Sequence, residues 1–223
     1  LDQGLALAYA GAQTLTTPPE IARAYAKGTR SVNGKPGKKY WQNHGRYNIS
    51  VSMAPPDRTI KGVEEITYFN NSPDTLHSLN MKLIVNVHTA GGNNPGAGIK
   101  VDDIKINGTQ ADWDNSKAVT TNQMVDLKLP LMPHDSLKMN ITWHYQLSGG
   151  RGREGAIDSN TFYLAYFYPR VSVYDDYKGW DTQPHTGGLE FYNDFNDYTL
   201  SVTVPKNFIV WATGTLRNPR QDL

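Results

Sequence analysis

The sequence predicts an all-β fold, an antiparallel β-sandwich or saddle preceded by a short helical arm. Three observations carry this expectation. Apolar and polar residues alternate with period two, as where Tyr47, Ile49 and Val51 interleave with Asn48, Ser50 and Ser52. Clusters of Pro, Gly, Asn and Asp break the chain at roughly ten-residue intervals. A helical pattern occurs only near the N-terminus.

Taken in order, residues 1–39 read as an N-terminal arm. Leu5 to Gln13 could be mistaken for a signal remnant, but it follows Asp2 and lacks a basic segment. Thr17, Pro18, Pro19 and Glu20 form a helix start, with a hydroxyl cap, Pro in the first turn and an early acid. A short helix from Ile21 to Lys27 should end at Gly28, and Gly34 to Lys39 should turn. Residues 40–223 read as the β-domain. Its expected strands are Tyr47 to Val51, Thr59 to Asn70, Leu79 to His88, Ile99 to Ile106, Gln123 to Leu129 and Leu137 to Leu147. Phe162 to Tyr168, Leu189 to Phe191, Tyr198 to Val204 and Phe208 to Ala212 complete the set. Asn107-Gly108 is the strongest hairpin signal. Gly91 to Gly98 and Ser148 to Asp158 read as loops.

Composition narrows the function classes. Of 223 residues, 38% are hydrophobic and 19% charged, enough to build a core and too little charge for a disordered chain. The net charge of +1 gives no electrostatic pull toward nucleic acid or a membrane surface. No apolar run of about 18 residues is present, so no membrane span is expected. The lack of cysteine removes disulfides, thiolate metal sites and cysteine nucleophiles together.

The residues that could carry chemistry are few. Six histidines occur, no two of them four apart, so there is no H-E-x-x-H zinc helix. His134 and His144 flank a hairpin and could approach each other, although strand-end histidines are more often surface than ligand. Gly149 to Gly155, with Arg151 and Arg153, could cradle an anion but lacks a phosphate-loop ending and reads better as a connector. Tyr163, Tyr166, Tyr168 and Trp180 could stack against a sugar or a peptide side chain, or could serve sheet packing. Asp175 and Asp176 are adjacent carboxylates near Gly179, where a turn aspartate usually accepts local hydrogen bonds. Asn70, Asn107 and Asn140 each open an Asn-x-Ser/Thr triplet.

Tyr168-Pro169, Val173-Tyr174-Asp175-Asp176, Gly179-Trp180, Glu190-Phe191-Tyr192, Val204-Pro205 and Ala212-Thr213-Gly214 follow one another in a telling order. Upstream stand Tyr40-Trp41-Gln42-Asn43, Tyr47-Asn48-Ile49, Thr59 to Gly62, Ile66-Thr67-Tyr68 and Asn70-Asn71-Ser72. This ordered set resembles the N-terminal domain of the aminopeptidase N / leukotriene hydrolase family of zinc metallopeptidases, and its bacterial branch in particular. The resemblance covers roughly residues 40–219. It implies a β-saddle packed against a thermolysin-like catalytic domain of the same polypeptide. The zinc, its helix, the general base and the Gly-x-Met-x-Asn segment would lie beyond Leu223, with further strands finishing the β-domain. On that reading this chain holds no cofactor and is inactive alone, and its partners are the catalytic domain and peptide N-termini. The resemblance also implies a secreted or periplasmic location, with a cytoplasmic one as the alternative. It places Phe162 to Tyr168 beside the substrate, with Tyr163, Tyr166, Tyr168, Asp175 and Asp176 as the pocket residues. Tyr166 stands where some relatives carry Gln, and its ring could meet an ammonium by cation–π contact. The alternative function is a free-standing carbohydrate-binding or adhesion β-sandwich using the same tyrosines.

Overall fold

The computed structural model describes residues 16–87, 98–117, 121–149, 153–186 and 188–217. Leu5 to Gln13, His88, most of the Gly91 to Gly98 loop and the centre of the glycine-rich loop (150–152) lie outside the described residues. Contacts divide the chain into two compact units, Leu1–Trp41 with Asp176–Lys178, and Gln42–Asp175 with Gly179–Leu223.

The first unit holds the helix α1 (Pro19–Lys27). Its N-cap is Pro18 and not Thr17, and no side chain caps it. The Pro18-Pro19 pair accounts for the correction. Pro19 sits at the first helical position and has no N–H needing a cap, while the Pro18 carbonyl accepts the Ala22 amide at 2.9 Å. Gly28 closes the helix at φ 76°, donating to the Ala24 and Tyr25 carbonyls. Gly37 packs against that cap so closely that a Cβ would lie 2.1 Å from the Gly28 carbonyl oxygen. Asp176 belongs to this unit. Its carboxylate accepts from the Thr29 hydroxyl, from Arg30 Nε at 2.9 Å and from Arg30 Nη2 at 2.7 Å. The Asp176 side chain is 2% exposed, so removing it takes a buried, charge-assisted acceptor from both Thr29 and Arg30. Asp176→Ala is expected to cost this unit about 2 kcal/mol. The check is amide exchange, which should quicken in residues 19–39 and stay unchanged in the sheets.

The second unit is the β-domain. Its strands are β1 (His44–Ser52), β2 (Thr59–Phe69), β3 (Leu76–Lys82), β4 (Lys100–Ile106), β5 (Thr109–Gln110), β6 (Asn122–Leu131) and β7 (Ser136–Gln146). Short pieces follow: β8 (Gly155–Ala156), β9 (Phe162–Tyr163), β10 (Arg170–Val171), β11 (Tyr174–Asp175) and β12 (Gly179–Trp180), then the longer β13 (Asp197–Thr203). A six-stranded sheet runs in the order β13-β1-β2-β7-β4-β5, and a three-stranded sheet in the order β10-β3-β6. Every named pair is antiparallel except β1–β13, which is parallel. The all-β expectation therefore stands.

Alternation decides which side chains are buried. β1 and β7 bury every second residue, sending Tyr47, Ile49 and Val51, and Met139, Ile141, Trp143 and Tyr145, into one core. Leu79 and Met81 of β3 and Val125 of β6 join it from the smaller sheet. At about 25 cal/mol per Å² of apolar surface removed from water, this shared core is the main stabilising term. Asn43 ties the turn after β2 to the sheet: its amide donates to the Tyr68 hydroxyl, and its oxygen accepts the Asn71 and Ser72 amides. Asn70 is fully buried and bonded to backbone carbonyls, which removes its triplet as a glycan acceptor in the folded chain. Asn107 and Gly108 adopt φ 50° and 78°, the hairpin turn expected of that pair, between β4 and β5.

Several strands differ from expectation. In the run Leu79 to His88 the strand ends at Lys82: the Leu83 amide still bonds to the Thr121 carbonyl across from β6, and the chain then turns into a 3-10 helix over Ile84–Asn86, with His88 outside the described residues. Of Phe162 to Tyr168 only β9 is strand. Tyr166 takes φ 59° and Pro169 lacks a donor, so neither can continue a ladder. Leu189 to Phe191 and Phe208 to Ala212 form no strand. His134 lies in the turn before β7 and His144 near that strand's far end, so the two histidines do not meet.

Candidate functional site

The segment leaving β9 divides its aromatics between two jobs. Leu164, Phe167 and Tyr168 pack on the core cluster. Phe167 lies 5.2 Å from Tyr168 and 6.3 Å from Trp143, and Tyr168 stands edge-on to Tyr47 and Tyr198 at 5.9 Å each. Burial pushes the Tyr168 hydroxyl far above its ordinary range. Tyr163 is 47% exposed on β9, opposite Gly155. Among the described residues no ring contact joins Tyr163, Tyr166 and Tyr168 to one another, so they do not form one stacking platform.

Tyr166 is the distinctive residue of the segment. A non-glycine residue with left-handed φ carries a cost of about 1 kcal/mol, so its surroundings must hold it there. They do so through both ends of the side chain. The hydroxyl accepts from Arg153 Nη1 at 2.9 Å, and the ring meets the Phe191 ring edge-on at 4.9 Å. Arg153 Nη1 also donates to Glu190 Oε1 at 2.9 Å. These two bonds to oxygen raise the Arg153 pKa still further. Both ends of the Arg153–Glu190 pair are about two-thirds exposed, so the pair positions more than it stabilises.

Phe191 organises the rest of the site. His185 packs edge-on to it at 5.0 Å, with Nδ1 2.9 Å from the Leu189 carbonyl. Arg170 lays its guanidinium over the same ring, Cζ 4.5 Å from the centroid. Arg170 is 6% exposed, and its Nε and Nη2 have no hydrogen-bond partner among the described residues. The aromatic face partly offsets the cost of burying that charge. Two carboxyls elsewhere in this unit are also displaced by burial, Glu154 up to about 8 and Asp194 up to about 6. Asp175 contributes to the Asp194 shift, while a 3.4 Å bond from Gln42 Nε2 opposes it.

Of the residues expected to line a pocket, Tyr166 stands in this cluster, Tyr163 lies on β9 and Tyr168 at the core. Asp175 pairs with Gly179 in the β11–β12 hairpin. Asp176 is engaged by Thr29 and Arg30, as described above. The sequence offers Glu190-Phe191 only as a motif, and Arg153 only as part of a possible anion cradle that reads better as a connector. Arg170 and His185 carried no signal, because each joins the site only by packing on the Phe191 ring. Among the described residues no three His, Cys, Asp or Glu side chains converge on a point that could hold a metal ion, so the described residues do not fit a zinc site.

No protein-family model matches the chain. No curated protein matches it either. Solved structures do resemble it. A two-domain M1 zinc metallopeptidase bound to L-arginine aligns over 84% of this chain and 39% of its own, with 17% identity and a TM-score of 0.48. The M1 zinc metallopeptidase of Deinococcus radiodurans aligns over 83% and 38%, with 17% identity and a TM-score of 0.45. Yeast LTA4 hydrolase in complex with bestatin aligns over 58% and 19%, with 13% identity and a TM-score of 0.31. The chain spans no more than 39% of the length of any of these proteins.

Proposed function

We propose that this chain is a non-catalytic domain of a zinc-dependent aminopeptidase, which walls the active-site cleft and helps form the pocket for a peptide's free N-terminus. The ordered motifs from Tyr40 to Gly214 support the reading, and one observation in the structure carries it. Tyr166 is held in a strained backbone conformation within the segment those motifs place beside the substrate, and it shares Arg153 with an exposed carboxylate, Glu190. A Tyr cannot offer an ammonium a negative charge, but Glu190 can. The guanidinium holds both groups at one place, so ring and carboxylate could receive the amine together. Zinc and the hydrolytic base belong, on this proposal, to the rest of the polypeptide. This chain's own residues bind and orient.

The test is binding of short peptides to the purified chain by fluorescence anisotropy. Peptides with a free N-terminus should bind at least about tenfold more tightly than the same peptides acetylated. Glu190→Gln should erase that difference without changing the fold. Equal affinity for free and acetylated peptides would overturn the proposal, and so would retention of a glycan in place of the amine through Tyr166.

A further inference from the structure

A second place in the β-domain has the makings of a binding site. The outward face of the six-stranded sheet holds a groove of about 520 Å³, within the range of small-molecule sites. Strand register arranges its walls in rows. One row crosses five strands as Thr203, Ser52, Lys61, His144 and Lys100. The next runs Ser201, Ser50, Val63, Thr142 and Asp103.

The first row is unlike the outward rows farther along the same strands. There Thr199, Asn48, Glu65, Asn140 and Lys105 combine an acid with a base, and Arg46 stands opposite Asp197. The groove row contains hydroxyls, an imidazole and two ammonium groups, with no carboxylate in register. Bases directly opposite one another in a sheet are unfavourable without a counter-charge. The acids near it are already engaged: Asp102, brought to the groove by the irregularity between Val101 and Asp103, meets His144 Nδ1 at 2.9 Å, Asp103 pairs with Lys105 at 3.4 Å, and Asp57, within reach of the Lys61 charge, accepts from the Thr59 amide and hydroxyl. The hydroxyls of Ser50, Ser52, Thr142 and Thr203 and the Lys61 ammonium have no hydrogen-bond partner among the described residues. Beside these donors Val63, 53% exposed, gives the groove an apolar patch.

We infer that this groove binds a small oxyanion, a carboxylate or phosphate monoester, whose head meets Lys61 and the Ser52 hydroxyl while a short apolar body covers Val63. The inference is independent of the peptidase-related reading, since Tyr166 and its neighbours take no part in it.

The experiment is a titration of the whole chain followed by amide chemical shifts, using hexanoate and hexyl phosphate as charged probes and hexanamide as the neutral control. Hexanoate or hexyl phosphate should move the amides of residues 50–52, 61–63 and 142–144, and hexanamide should bind about tenfold more weakly. The tighter of the two charged probes identifies the head group. Lys61→Gln, an exposed substitution, should lower affinity for the charged probes by about tenfold and leave hexanamide unchanged. Val63→Ser should weaken all three. Equal shifts from hexanoate and hexanamide, shifts centred elsewhere, or a Lys61→Gln chain that binds both charged probes as well as the parent would each overturn the inference.

Discussion

Gly62→Ala is expected to destabilise the β-domain by about 3 kcal/mol, an overpacking cost at the upper end of the usual range. Gly62 sits on the buried face of β2, directly opposite Trp143 of β7. A Cβ built there would lie 2.1 Å from Trp143 Cζ2 and 2.3 Å from Cε2. The indole has nowhere to go. It is fully buried, stacked on Tyr145 at 6.1 Å and tilted against Phe167 at 6.3 Å. Glycine is required here for the space, which the ring fills. Trp143→Leu alone should also destabilise, by about 3 kcal/mol, because it leaves a cavity over the glycine. The pair should not add. In Gly62→Ala/Trp143→Leu the new methyl occupies part of that cavity, and a coupling of about 1–3 kcal/mol is expected. Urea denaturation of the four proteins measures it. A Gly62→Ala chain within about 0.5 kcal/mol of the parent would show that the ring is free to move.

Gly62 also shows what the sequence revealed and what it hid. The alternation around it marks β2 as half-buried, and β1, β6 and β7 were legible for the same reason. Asn107-Gly108 was legible because few residue pairs accept two positive φ values. What escaped depends on partners remote in the chain. A glycine in a strand gives no hint that an indole from β7 will cover it. Phe162 to Tyr168 has a strand's composition, yet its aromatics bind rings from Phe191, Phe208, Tyr198 and Trp143 in preference to a neighbouring strand. Nor does sequence show that β13 will lie parallel to β1, since parallel pairing is set by how the intervening chain returns. The candidate site was legible at Tyr166 by its place among the motifs. Glu190, Phe191 and Arg170 join it through contacts between residues apart in the chain, the Arg153 hydrogen bonds and the Phe191 ring.

Two residues from Gly62 on the same buried face, Glu64 supplies a prediction of opposite sign: Glu64→Met is expected to stabilise the fold by about 2 kcal/mol or more at neutral pH. Glu64 is 1% exposed, between Ile49 and Ile141 in register, and neither carboxyl oxygen has a hydrogen-bond partner among the described residues. Burial therefore drives its pKa well above the ordinary carboxylate range. Glu154, up to about 8, and Asp194, up to about 6, are displaced in the same direction. A carboxyl whose folded pKa exceeds its unfolded one holds its proton more tightly in the native state. Its contribution is fully present below the unfolded value, near 4.3 for Glu, and is lost as pH rises toward the folded value. The parent chain should accordingly lose stability between about pH 5 and 8, each displaced group adding a slope of up to about 1.4 kcal/mol per pH unit while it titrates. Glu64→Met keeps the volume and removes one such group, so its advantage should widen with pH across that window. Denaturant titrations at pH 5 and 8 decide the matter. If parent and variant differ by the same amount at both values, the carboxyl is not titrating on unfolding, and some polar group or water must satisfy it in the core.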